Sequence, residues 1–126
     1  MFKQWVYILL SGYTYATFSI IATDSQTGEI GSAGGSCIAN SIIISDIHPG
    51  VGAIHTQSYW LSVNQQYAST LMEEGYSPEE IISLLEENDA QNNPAIRQYG
   101  VADLGIENNY GILYEQECNE IGNTQW

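Results

Sequence analysis

The apolar residues of this chain change period as the sequence proceeds, and the changes mark its elements. Over residues 17–23, Phe18, Ile20 and Ala22 alternate with Thr17, Ser19 and Ile21, the two-residue period of a half-buried strand. Asp24-Ser25-Gln26-Thr27-Gly28 follows, a polar cluster closed by glycine, and predicts a hairpin turn. The next strand candidate, residues 29–36, is almost stripped of bulk after Ile30. Small residues there let another backbone or a ligand come close, and tight sheet packing or a bulge accounts for them equally well. Ile42-Ile43-Ile44 is a short apolar run ended by Asp46-Ile47-His48-Pro49-Gly50, where proline and glycine enforce a reversal. Residues 51–57 read as the returning strand.

Over residues 61–74 the period lengthens. Val63, Tyr67 and Leu71 recur at four-residue spacing with Ala68 and Met72 beside them, which predicts a helix with one apolar face, stopped at Gly75. Ser77-Pro78-Glu79-Glu80 restarts the chain as a helix: serine caps, proline takes the first helical position, and Glu80 closes a capping box. Ile81, Ile82, Leu84 and Leu85 supply its buried side, and the Asn/Asp-rich stretch before Pro94 ends it. Residues 97–104 and 110–114 predict two more strands around a turn at 105–109. Strands, two helices, then strands make an α+β plan, with helices packed on a mainly antiparallel sheet. After Tyr114 the periodicity fails, and a truncated piece of a longer protein is expected.

Composition narrows the picture. A chain of 126 residues suits one domain with a single core. Residues 1–16 have the order of a secretory leader: Lys3, the apolar run Trp5-Val6-Tyr7-Ile8-Leu9-Leu10, the breaker pair Ser11-Gly12, and Ala16 at the cut. An ordinary N-terminal helix or strand is the alternative; a membrane span is not, since that takes about 20 apolar residues. A domain of residues 17–126, secreted or periplasmic, would follow cleavage. Lys3 and Arg97 are the only strong cations against fifteen carboxylates. That excludes nucleic acid as a partner and argues against anionic membrane surfaces, because both are held through Lys and Arg. Seven of the acids lie from Glu73 to Asp89 and read as a solvated face.

The candidate chemistry starts at Thr17. A threonine at a processed chain terminus carries its own base, because a free α-amino group has a pKa of about 7.7–8.0 and can take the hydroxyl proton. An ordinary β-branched strand residue is the plainer reading of the same position. His48 beside Pro49-Gly50 reads as a turn residue, and His55 as a hydrogen-bonded strand residue. No cofactor or metal is implied: Asp46 and His48 lack a third ligand, and Cys37 and Cys118 have no metal-type spacing. The two cysteines can pair or stay separate, and the sequence leaves both open. The tyrosines and tryptophans suit a core or sheet surface better than a sugar platform.

Several blocks together resemble a known family. Thr17-Phe18-Ser19-Ile20-Ile21-Ala22, Thr27-Gly28-Glu29-Ile30-Gly31, Gly50-Val51-Gly52-Ala53 with Thr56-Gln57, Gly75-Tyr76-Ser77-Pro78-Glu79-Glu80, and Arg97-Gln98-Tyr99-Gly100-Val101 with Asp103 are similar to successive blocks of the domain of unknown function 1028 family. That family is grouped with the N-terminal-nucleophile hydrolases. The resemblance implies a four-layer αββα sandwich, incomplete at its C-terminal side, with Thr17 as nucleophile on the first strand. It implies backbone amides near His55, Thr56 and Gln57 as oxyanion donors, with the Ser19 and Ser36 hydroxyls nearby. Members of the wider superfamily place a lysine or arginine beside the nucleophile, and Arg97 is the only residue able to do so after processing. The implied function is an exported hydrolase of amide or peptide bonds in a small-molecule, peptide or glycan substrate. A non-catalytic envelope module on the same fold, an inert fragment, and self-association into a homo-oligomer all stay open.

Overall fold

The computed structural model describes residues 17–36 and 38–105, together with the backbone of 113–115. The leader segment 1–16, Cys37, Tyr110 and Cys118 lie outside the described residues. Two antiparallel strands, β1 (Phe18–Asp24) and β2 (Glu29–Gly35), form one sheet. The other contains β3 (Ser45–His48), β4 (Gly52–Gln57), β5 (Gln98–Asp103) and β6 (Leu113–Glu115), in that order and antiparallel throughout. Helices α1 (Ser62–Glu73) and α2 (Pro78–Glu87) connect β4 to β5. The α+β plan expected from the sequence is the observed one.

Local chemistry explains each turn. Asp24 Oδ1 accepts from the amides of Gln26 (2.8 Å) and Thr27 (3.2 Å), and Gly28 closes the β1–β2 hairpin at φ +74°. Gly34 is needed because a Cβ there would stand 2.7 Å from the Phe18 carbonyl oxygen, so the small residues of β2 do let the neighbouring backbone approach. The isoleucine run forms a single 3-10 turn over Ser41–Ile44, and β3 begins only after it. The capping box of α2 is complete: Ser77 Oγ accepts from the Glu80 amide, and Glu80 accepts from the Ser77 amide.

Two apolar layers hold the sheets and helices together. Ile54, Tyr99 and Val101 on one face of the larger sheet pack against Ala68, Leu71 and Met72 of α1 and Ile81, Ile82 and Leu85 of α2. On its other face, Ala53 and Ala102 meet Ile21 of β1, with Ile30 of β2 alongside. The order is therefore helices, four-stranded sheet, two-stranded sheet. Strand alternation assigns the rest: Ala53, His55 and Gln57 face β1 and β2, whereas Ile54 and Thr56 face the helices.

Two details depart from the sequence-based expectation. The buried stripe of α1 runs through Asn64, Ala68, Leu71 and Met72, while Val63 is 60% exposed. Asn64 displaces valine because its amide has partners inside: it donates to Asp89 Oδ1 (2.6 Å) and Tyr99 Oη (2.7 Å) and accepts from the Ala90 amide (3.1 Å). The acidic run is not wholly solvated either, since Asp89 is buried against Arg97.

Candidate functional site

Thr17 stands immediately before β1, and the register of the hairpin puts it opposite the residue that follows β2. Its Oγ1 lies 2.8 Å from Ser36 Oγ. Two residues on, along the same inner face, Ser19 Oγ donates to Gln57 Oε1 at 2.9 Å, and Gln57 Nε2 donates to Gln98 Oε1 at 3.3 Å. Gln57 and Gln98 are cross-strand partners at the ends of β4 and β5, and both are buried. The chain of donors runs one way and finishes at Gln98 Nε2, a buried donor without a hydrogen-bond partner among the described residues. A buried donor left unpaired carries a desolvation cost that an acceptor would relieve.

A second polar cluster lies farther along the same layer. Ser45 and His55 are direct partners across β3 and β4, and Ser32 reaches them from β2 in the facing sheet. Ser32 Oγ is 2.6 Å from His55 Nε2 and 2.7 Å from Ser45 Oγ. His55 is 3% exposed, and burial pushes its imidazole down to about 4, so the ring is neutral at physiological pH. Beside the cluster opens a cavity of about 110 Å³, walled by Ser32, Gly34, Ser41, Ile42, Ser45 and His55.

The structure thus brings Thr17 together with Ser36, and Ser19 with Gln57, while His55 belongs to the second cluster. It does not bring Thr56 to either. Thr56 pairs with Tyr99 and by strand alternation faces the helices, where its buried hydroxyl has no hydrogen-bond partner among the described residues. Gln98 is the residue that sequence reasoning missed. The signal for it was weak: a glutamine opening a strand is polar at a position of unknown depth, and only the β4–β5 register reveals its partner.

Arg97, the one cation that could have stood beside the nucleophile, does not. It sits on the helix-facing side, where Nε donates to Asp89 Oδ1 (3.0 Å), Nη2 to Gln91 Oε1 (2.7 Å) and Nη1 to the Tyr59 carbonyl. The reason is parity, since Arg97 and Gln98 are adjacent and their side chains leave opposite faces of the sheet. Burial alone would raise the Asp89 carboxyl, but the Arg97 guanidinium and the amides of Asn93, Asn64 and Gln91 outweigh it and hold the group well below the usual carboxylate range. The bond to Tyr59 also secures Ser58 and Tyr59, which leave β4 with φ values of 57° and 52°, a left-handed conformation costly for residues other than glycine.

His48 ends β3 and lies between two carboxylates, 3.4 Å from Asp46 Oδ2 and 3.2 Å from Glu73 Oε1. Ser69 Oγ also donates to Asp46. Among the described residues, no group of His, Cys, Asp and Glu is arranged to hold a metal ion. No described helix is long and apolar enough to cross a membrane.

Comparison with known proteins places these residues in one family. The model of a family of unknown function, DUF1028, matches residues 17–119. No curated protein and no solved structure matches the chain.

Proposed function

The chain belongs to the DUF1028 family, and from that premise we propose that it is an exported hydrolase of amide or peptide bonds whose nucleophile is Thr17, freed by leader cleavage. The observation that carries this reading is the placement of the Thr17 hydroxyl. It heads β1 on the inner face of the hairpin, hydrogen-bonded to Ser36 and beside the chain from Ser19 to the spare Gln98 donor. The stacking of helix pair, larger sheet and smaller sheet also supports three of the four layers of an N-terminal-nucleophile sandwich.

In the proposed reaction the α-amine of a mature Thr17 takes the hydroxyl proton, and Oγ1 attacks the substrate carbonyl. The protonated amine then passes its proton to the leaving amine, and water releases the acyl group by the same route. Ser36 orients Oγ1. In this reading the spare Gln98 amide donates to a substrate oxygen that enters the layer, a kind of contact worth about 3–4 kcal/mol when it forms in the transition state. With Arg97 committed to Asp89 and fifteen carboxylates in the chain, nothing described lowers the amine's pKa. An acidic surround raises it instead, so activity is expected to climb towards alkaline pH.

That same absence of a cation beside Thr17 among the described residues favours, as a second reading, a non-catalytic module binding a peptide or polysaccharide. N-terminal sequencing of the exported protein separates the two first, because a start anywhere but Thr17 ends the nucleophile reading. If the start is Thr17, a β-lactone probe is expected to label the wild type and not Thr17→Ala. Equal labelling of both proteins assigns the binding role instead.

A further inference from the structure

The Ser32–His55–Ser45 cluster is independent of Thr17. Ser32 and Ser36 are four residues apart on an extended segment, a separation of roughly 13 Å at about 3.3 Å per residue, so neither serves the other's site. An inter-sheet polar staple would need only mutual hydrogen bonds. This cluster has more: beside the hydroxyl and imidazole nitrogen, 2.6 Å apart, lies an open cavity. Nucleophile and base within hydrogen-bond reach beside space for a substrate is the arrangement that nucleophilic catalysis requires.

The tautomer of His55 sets the direction of both contacts. In the tautomer with its proton on Nδ1, His55 accepts at Nε2 from the Ser32 hydroxyl. Ser32 has then spent its only proton, so Ser45 must be the donor in the 2.7 Å contact between the two hydroxyls. Ser45 then engages one Ser32 lone pair and leaves the other free, while the Ser32 proton points at the base. We propose that Ser32 is a second nucleophile of this protein, with His55 as its general base, open to small uncharged acyl or sulfonyl compounds that enter the adjacent cavity.

The cavity sets the substrate class. Its walls are serine hydroxyls, the Gly34 backbone, isoleucine side chains and a neutral imidazole, with no charged side chain among them. At about 110 Å³ it takes a group of a few heavy atoms. Burial keeps the imidazole free of its proton through the neutral range, and also makes it a weak base. Reaction is therefore confined to electrophiles with good leaving groups. In the step itself, the Ser32 Oγ–carbonyl carbon bond forms, the Oγ–H proton passes to His55 Nε2, and the bond to the leaving oxygen breaks. His55 returns the proton to that oxygen. A water, deprotonated by the same nitrogen, then hydrolyses the acyl-serine.

Methanesulfonyl fluoride is small enough to test this on the full chain. Ser32 Oγ displaces fluoride to form a stable sulfonyl ester, and peptide mapping by mass spectrometry identifies the modified residue. The expected result is modification at Ser32, slowed by about 10²–10⁴-fold in His55→Gln and absent in Ser32→Ala. The rate should stay level from pH 8 down to about 5 and fall towards 4, following the His55 imidazole. Folded wild type that resists the reagent, modification at other residues without any at Ser32, or His55→Gln reacting as fast as wild type would each overturn the proposal. Should His55→Gln not fold, the wild-type profile decides alone: a rate with no fall on the acid side of neutrality refutes His55 as the base.

Discussion

Replacing Arg97 with methionine should destabilise the protein more than any surface substitution, without touching either candidate site. Arg97 is 2% exposed, and its guanidinium makes charge-assisted bonds to the Asp89 carboxylate, the Gln91 side chain and the Tyr59 carbonyl. Removing one member of a buried ion pair costs about 3–5 kcal/mol, because the remaining charge is stranded. Here Asp89 keeps three other donors, from Asn64, Gln91 and Asn93. That compensation puts the loss for Arg97→Met near 3 kcal/mol, still a large share of the roughly 5–15 kcal/mol that holds a domain together. Asp89→Asn should cost a similar amount, since the guanidinium would then face only neutral acceptors. The double variant should lose clearly less than the sum, with a coupling of about 1–3 kcal/mol. Urea denaturation of the four proteins closes the cycle. Additive losses, or a loss below about 1 kcal/mol for Arg97→Met, would refute the pairing as the anchor of this region.

Acid should act through two groups in separate windows. The folded His55 imidazole titrates near 4 against an unfolded value of 6.5; the unfolded chain therefore binds the proton first, and stability should decline as pH falls from about 6.5 to 4, by up to about 3 kcal/mol. His55→Gln should flatten that limb in pH-dependent melts. Asp89, held below its usual range, adds a later loss that begins below about pH 4 and vanishes in Asp89→Asn. Ser77→Ala removes the capping hydroxyl of α2 and should cost about 1 kcal/mol, read as a lowered urea midpoint with an unchanged m-value. Gly52→Ala would drive a Cβ into the Ala102 carbonyl and within 2.9 Å of Asp103 Cα, so β4 and β5 must part; a loss of about 1–3 kcal/mol is expected, or failure to fold.

Elements whose instructions are local were legible in the sequence. The Asp24–Gly28 turn and the α2 capping box need only side chains a few residues apart, and both formed as read. What depended on distant partners was not. The stripe of α1 turned towards Asn64 because Asp89 and Tyr99, 25 and 35 residues on, satisfy its amide. No helical period can encode that. Asp89 reads as one more solvated acid in the sequence but pairs with Arg97 in the fold, and only the face of the sheet shows that Arg97, the one cation available to the nucleophile, points away from it. At the candidate site Thr17 stood out by its position and Ser19 and Ser36 through the family resemblance, but Gln98 required the β4–β5 register and the Ser32–His55 contact the stacking of two sheets.

β1 reverses the usual sense of an alternating strand. By composition its apolar face is Phe18, Ile20 and Ala22, yet Phe18 and Ile20 are 58% and 64% exposed. The face turned inward carries Thr17, Ser19 and Thr23, with Ile21 alone buried among apolar neighbours. Hydroxyls can occupy an inter-sheet layer only if they are paired. These are: Thr17 with Ser36, Ser19 with Gln57, and Thr23 with the Asp103 carbonyl at 2.8 Å. The layer consequently gains little apolar burial, and the helix side of the larger sheet must supply most of the core. Keeping hydroxyls inside costs that burial and secures a polar seam running from Thr17 past Ser32 to His55, where both proposed nucleophiles stand.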